Sequence, residues 1–548
     1  MKIAKKIGFA ALVAAFLFTS IALVRTGDLY FQIKKQLTIF SDVYKEVATM
    51  YVDEVSPERL MNRGINAMLE ELDPYTVFIG EGEQQEMEIL SSGSYGGIGI
   101  EVGFRGDDIV IIDPMDGYPA DRAGIRPGDI LVRINGISTE GMSAEEVQQL
   151  TIGDSGTEVT ISVLRPGMDQ ELEYTLERER IEVQNITYID HFGEQSDLLY
   201  LQLNRFGQQS AEEVRDQLLA SKDEGNLKGL ILDLRNNPGG LLNEAVEIVD
   251  KFVEPGVTIV ETRGRMDAHN SAYVTEEPAI FEDLPIIVLM NRGSASASEV
   301  VAGAFQDLDR AVVIGESSFG KGLVQTIRPL SYNTSLKVTV SKYLTPSGRS
   351  IQSIDYANEE GGIGREIPDS LRRPFQTKNG RTVFDGQGID PDINVDDDAE
   401  NRAEAAMLQN NHFFFFVNET LASMQEDEPD FPSEAFEQFL DYLDEQNFEY
   451  SLPAKDHLDQ LKQHAEDFSD EDEFHRQIDE LQASLVNRKQ QEIEDSREFI
   501  EKHLHREWTA QLHGGDARAR IMLDNDRFMN EAIELLLNND NYKSILRP

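Results

Sequence analysis

The sequence predicts an α/β protein built from several domains. Three observations carry this reading. Between 177 and 396, short apolar runs alternate with amphipathic segments, the pattern of a sheet packed against helices. Ahead of that block, 93–168 is glycine-rich and β-like. Beyond 396 glycine nearly disappears, and Glu, Asp, Gln and Leu recur at helical spacing.

The chain has 548 residues and 40% hydrophobic content, enough for three or four domains with real cores. Its formal charge of −50 argues against nucleic acid as a partner, because phosphates need a basic surface. It suits a salty medium, where screening tames self-repulsion. With no cysteine, thiol nucleophiles and disulfides are excluded.

Taken in order, 1–26 carries Lys2, Lys5 and Lys6 ahead of an apolar run at 7–24 that is broken only by Thr19 and Ser20. This is the pattern of a secretory signal or an uncleaved inner-membrane anchor, so the body is expected in the periplasm or cell envelope. Segment 27–92 reads as helical, with FSDVYKEVATMYV and then ERLMNRGINAMLEEL, which stops at Asp73-Pro74. Segment 93–168 runs SYGGIGIEV, DDIVIID, AGIRPGDILVRING, a helix SAEEVQQL, then TEVTISVLR. It resembles a PDZ domain. Such domains add an extended peptide as a strand and hold its terminal carboxylate on free N–H groups. The resemblance places that site at Gly97, Ile98, Gly99 and Ile100, with SAEEVQQL lining the groove.

Segment 177–396, with a core at 195–355, has strand-like runs LLYLQL, GLILDL, VTIVET, PIIVLM and AVVIG, with helical segments such as AEEVRDQLLA and LNEAVEIVDKFV between them. Segment 397–548 is an all-α C-terminal extension, expected to be a helical cap or a surface for homo-oligomers. Its Phe413–Phe416 cluster suits helix packing. His503 and His505 have the wrong spacing for one helix face and are expected at the surface; no metal-ligand cluster stands out.

The chemistry concentrates in Asn291–Leu330, NRGSASASEVVAGAFQDLDRAVVIGESSFGKGLVQTIRPL. Serines sit where a buried strand hands over to a helix, a junction that exposes a hydroxyl and aims backbone N–H groups at what lies above it. Between 180 and 400 the only histidines are His191 and His269, neither in a motif-like setting. A serine here needs another base, and a lysine whose pKa is lowered by burial can serve. Lys321 lies in a glycine-flanked turn between apolar runs. Other patterns weigh less. Ser318-Phe-Gly-Lys321 matches S-x-x-K, but its glycine argues against the helix that motif needs. Gly315–Lys321 matches a phosphate loop, but Gly322 stands where magnesium binding needs Ser or Thr. Asp154-Ser-Gly matches a protease triplet without a partner.

NRGSASASE, DLDRAVVIGESSFGKGLVQT, KYLTPSGRSIQ and DLRNNPGGLL together resemble the carboxy-terminal processing peptidases, or tail-specific proteases, across roughly 40–395. The resemblance implies a crotonase-like protease core with an inserted PDZ domain. It implies Ser296 as nucleophile, Lys321 as base and Gln325 as the residue that orients the lysine. It implies Asp307, more weakly, in the charge relay. It implies oxyanion donors at Ala297 and at Gly239 or Gly240, where glycine lets the backbone approach a substrate carbonyl. The implied substrates are polypeptides with exposed C-termini; no cofactor and no metal is required. Two other readings stand beside this one: a PDZ adaptor with an inactive or gated protease fold, and acyl-thioester chemistry on the same scaffold. Intact Ser296, Lys321 and Gln325 weigh against the first, and a secreted location against the second.

Overall fold

The computed structural model describes residues 30–81, 93–105, 108–166, 168, 170–193, 195–223, 227–356, 364–395, 401–424, 429–450, 457–458, 460–461, 471–524 and 526–547. The signal or anchor expected at 1–26 lies outside them. Among the described residues no helix is long and apolar enough to cross a membrane.

The chain forms two units. The smaller takes in 1–80, 326–339 and 356–365. Residues 30–50 are helical, and a second helix, Pro57–Glu70, is capped by Ser56. The Asp73-Pro74 stop is a built turn, in which Asp73 Oδ1 accepts from the amides of Tyr75 and Thr76 at 2.9 Å. The strand Val77–Ile79 that follows pairs antiparallel with 335–337.

In the larger unit the central element is a six-stranded sheet. Its order is Ile186–Phe192, Leu198–Leu203, Gly229–Asp233, Ile286–Met290, Val312–Gly315, Ile393–Asn394. Only the first pair is antiparallel. A parallel sheet is buried on both faces, so its strands read as continuous apolar runs. Alternate residues sort to opposite faces. Leu199, Leu201, Leu230, Leu232, Ile286 and Val288 pack under the helices Ser210–Asp223, Leu242–Asp250 and Ala297–Asp307. Leu198, Tyr200, Ile231, Ile287, Leu289, Val312 and Ile314 face the other way, against Phe528, Met529, Ala532, Leu535, Tyr542 and Leu546. The final helices, Arg527–Leu537 and Asn539–Leu546, therefore form the sheet's second layer. Arg235 pins that layer, bonding Asp526 at 2.6 Å while lying over the Phe528 ring. Of the expected strands, VTIVET stands apart: Thr258–Gly264 pairs antiparallel with Ser271–Val274 and with 341–344.

The β-rich domain has the strand order Ile100–Arg105, Asp108–Pro114, Ile130–Ile134, Glu158–Leu164, Glu171–Glu177. Its sheet passes the expected boundary at 168, because Glu171–Glu177 completes it in register with Glu158–Leu164. The pair Ser94–Gly97 and Glu179–Glu182 then closes its neck. The helical extension holds this domain: Arg105 bonds Glu419 at 2.7 Å and lies over Phe415, and Asn418 donates to the Pro127 carbonyl at 2.9 Å. Phe413, Phe416, Phe439 and Tyr442 form the aromatic centre of the extension.

His503 corrects the surface expectation. It is 9% exposed, with its ring 4.0 Å from that of Phe499. An i, i+2 spacing turns the two histidines to different helix faces, and His503 falls on the packed one. Burial pushes both His412 and His503 down to about 4. The folded state therefore resists protonating groups that the unfolded chain protonates near 6.5. Stability present at neutral pH is expected to fall as pH drops from about 6.5 to about 4. Unfolding midpoints at pH 7 and pH 5 check this: the gap should narrow in His503→Leu, and an unchanged gap would refute the assignment.

Candidate active site

The strand Ile286–Met290 ends at the turn Asn291–Gly293, and the helix Ala297–Asp307 begins four residues later. Three serines lie between and just inside, and the fold treats them differently. Ser294 and Ser298 are fully buried and donate to the carbonyls of Leu234 (2.8 Å) and Asn237 (2.9 Å). Their hydroxyls are structural. Ser296 alone of the three is partly exposed. Its backbone sits at φ 56°, ψ −112°, a conformation that costs free energy for a residue with a Cβ and persists only where the surroundings impose it.

The imposing group is Glu299, which is fully buried. Its Oε2 accepts from the amides of both Ser296 and Lys321 at 2.8 Å. Its Oε1 accepts from the Gly320 amide at 2.8 Å and from Ser318 Oγ at 2.5 Å. Two amides on one oxygen place the backbones of Ser296 and Lys321 within about 6 Å of each other. Burial raises the Glu299 pKa, and the four donors oppose that by favouring the carboxylate. The lysine turn is held from its other side too. The Gly322 amide donates to Gln352 Oε1 at 2.8 Å, and its carbonyl accepts from the Tyr343 amide at 2.9 Å. Lys321 is half-buried, as is Gln325 in the strand Leu323–Pro329, which begins two residues after the lysine.

Gly239 lies against the serine. A Cβ there would meet Ser296 Cβ at 2.8 Å and the Ala297 amide nitrogen at 2.9 Å, and its φ of 102° already requires glycine. Its own N–H, expected as a candidate oxyanion donor, is committed to Asn237 Oδ1 at 2.8 Å. Asn237 is itself buried and anchored to the Leu203 carbonyl at 2.7 Å. Gly240, at φ 151°, follows on a backbone bridged to Phe206. Ala297 opens the helix, where an amide has no intrahelical acceptor.

Asp307 does not join this cluster. It ends the 11-residue helix that Ala297 begins, roughly 16 Å along the axis. Its carboxylate is buried against Thr345 Oγ1 and the Ser347 amide. The Arg349 guanidinium lies 2.9 Å from Asp307 Oδ1 but off the hydrogen-bonding direction, and donates to Gln306 instead. Asp307 fastens the TPSGR turn and is not placed for a charge relay.

In the β-rich domain, among the described residues, the strand Ile100–Arg105 pairs along one edge only. Its free edge faces the helix Ala144–Thr151 across a groove of about 270 Å³, lined by Tyr95, Gly97, Ile98, Gly99, Ile100 and Val147 among others. Among the described residues no cluster of His, Asp or Glu could hold a metal.

Sequence reading missed Glu299, Asn237 and Tyr343. Only Glu299 had a signal: Ser296-x-x-Glu299 is the spacing at which a helix-start glutamate reaches back to the cap residue's amide.

Family models match three parts of the chain: Peptidase family S41 over 197–359, PDZ domain over 110–165, and Probable PDZ-protease, C-terminal helical domain, over 403–536. A carboxy-terminal-processing protease of Bartonella bacilliformis is 39% identical over 323 residues, 58% of this chain and 73% of that protein. A probable CtpA-like serine protease of Staphylococcus aureus is 37% identical over 318 residues, 58% of this chain and 62% of that protein. Among solved structures, the photosystem II D1 C-terminal processing protease is 26% identical, covering 66% of this chain and 94% of that one, with a TM-score of 0.36.

Glu299→Gln tests the clamp. An amide has one acceptor oxygen, so its NH₂ must face donors that now meet a carboxylate. Activity is expected to fall at least about tenfold and stability by roughly 2–4 kcal/mol, measured by peptide cleavage and denaturant unfolding; unchanged values would remove Glu299 from the site.

Proposed function

This chain belongs to the carboxy-terminal-processing protease family, and from that premise we propose that it is a serine endopeptidase that cleaves polypeptides near their C-termini with a Ser296/Lys321 pair. Ser296 Oγ attacks the scissile carbonyl. Neutral Lys321 takes the serine proton and returns it to the leaving amine, and Gln325 orients the lysine. The amides of Ala297 and Gly240 steady the oxyanion, a contribution of about 3 kcal/mol per donor. Gly239 serves by letting its loop pack directly on the serine, where a Cβ would collide with Ser296 Cβ and the Ala297 amide nitrogen.

The observation that carries this reading is the shared carboxylate oxygen. It ties the one accessible serine of the cluster and the lysine turn together at their backbones.

We assign substrate delivery to the PDZ domain. An extended tail would add to the free edge of Ile100–Arg105, with its carboxylate at Gly97–Ile100. The proposal extends to location: the apolar run at 7–24 behind three lysines suits export to the periplasm or cell envelope.

Ser296→Ala and Lys321→Ala are each expected to lower cleavage of an unfolded protein at least about a thousandfold, with thermal melting unchanged. Wild-type rates in either variant would overturn the mechanism and favour an adaptor role. Peptides with an amidated C-terminus are expected to bind the intact protein at least about tenfold more weakly than free acids, as read by fluorescence anisotropy. Equal affinity would remove the carboxylate site.

A further inference from the structure

Three consecutive amides shape the lysine turn, and each ends on a side-chain oxygen. Gly320 and Lys321 donate to the two oxygens of Glu299 at 2.8 Å, and Gly322 donates to Gln352 Oε1 at 2.8 Å. A peptide unit is planar, so a residue's backbone has only two soft dihedrals, set by the planes on either side of its Cα. At Lys321 the plane before the Cα is held by Glu299 and the plane after it by Gln352. Together they fix the direction in which the lysine side chain leaves the backbone.

Gln352 is itself held in place. It is 6% exposed, and Ile351 just before it is buried in the main core under the sheet. Its Nε2 donates to the Ile354 carbonyl at 2.9 Å, so both the oxygen and the nitrogen of its amide are bonded. Its segment also lies directly on the turn. The Ser353 amide donates to the Gly320 carbonyl at 3.0 Å, and a Cβ on Gly322 would meet the Gln352 backbone nitrogen at 2.7 Å.

We propose that Gln352 is a positioning residue for the general base: by holding the peptide plane between Lys321 and Gly322, it aims the lysine amine at Ser296 Oγ. This rests on the reading of Lys321 as base. The serine proton passes to the lysine nitrogen as the Oγ–carbon bond forms, and Gln352 gives and takes no proton. Glu299 and Gln352 divide the task. The carboxylate ties the turn to the serine's backbone, and the glutamine sets how the lysine leaves that turn.

The test is Gln352→Met in the full chain, which keeps the length of the side chain and removes both hydrogen-bonding groups. For a short peptide that does not need the PDZ groove, kcat is expected to fall about 10- to 100-fold, the range that a misaimed catalytic group costs, with KM little changed. Labelling of Ser296 by a fluorophosphonate should slow by a similar factor. In a Lys321→Ala background there is no base left to aim, so adding Gln352→Met should change the labelling rate by less than about twofold. A slowdown of equal size in both backgrounds would make Gln352 a support of the fold at large, and overturns the proposal. A fall confined to KM also overturns it, because it would mean a binding role. Wild-type kcat in Gln352→Met, beside an inactive Lys321→Ala, overturns the role of Gln352 and leaves the base standing. Activity in Lys321→Ala removes both. Should Gln352→Met fail to fold, Gly322→Ala presses the turn away from Gln352 while keeping both side chains: a fall in kcat of the same size supports the proposal, and an unchanged kcat overturns it.

Discussion

The carboxylate of Glu299 holds the site together. It is fully buried, a position that would ordinarily drive a carboxyl toward its neutral form. Four donors surround it, and each comes from a segment that has to be placed: the Ser296 amide, Ser318, and the amides of Gly320 and Lys321. A helix start and a lysine turn that are 25 positions apart along the chain are thereby joined through one side chain. The left-handed backbone of Ser296 is held by the same group, so the strain at the serine and the placement of the lysine share one cause.

Around that clamp the sheet sets the scale. Five of its six strands run parallel, and the serine follows the carboxyl end of one of the inner strands. In open parallel sheets that end is where binding loops gather. Asn237 ties the neighbouring loop to the same place. Its side chain bridges the Leu203 carbonyl and the Gly239 amide, while its backbone carbonyl accepts from Ala295 and Ser298. The glycine that packs on the serine is thus fixed by the strand next door.

The helical extension is part of this framework. Its last two helices supply the apolar layer that the sheet's second face requires, and Arg235, two residues beyond the strand Gly229–Asp233, is bonded to Asp526 at their start. Its middle helices hold the PDZ domain through Arg105, Phe415, Asn418 and Glu419. The groove of that domain is therefore carried on a packed support, and the Phe413–Phe416 cluster is spent inside the chain.

Much was legible before any coordinates. The apolar runs located five strands, because a parallel sheet buries both faces and leaves an uninterrupted signal. The loss of glycine after 396 marked the helices, and the Ser296 and Lys321 segments stood out by composition and spacing. Pairing was not legible. Thr258–Gly264 reads like its neighbours and joins a different sheet, because register depends on partners far along the chain. Asp307 looked close to the serine in sequence, but an 11-residue helix carries it away along its axis. Tyr343 gave no signal at all. Its amide reaches Gly322, beside Lys321, because the same strand pairs with Thr262. Local composition and periodicity were enough to determine the element types and the chemical inventory. Which side chains share an oxygen was decided by long-range packing, since contacts between distant segments form only when the whole sheet closes around them.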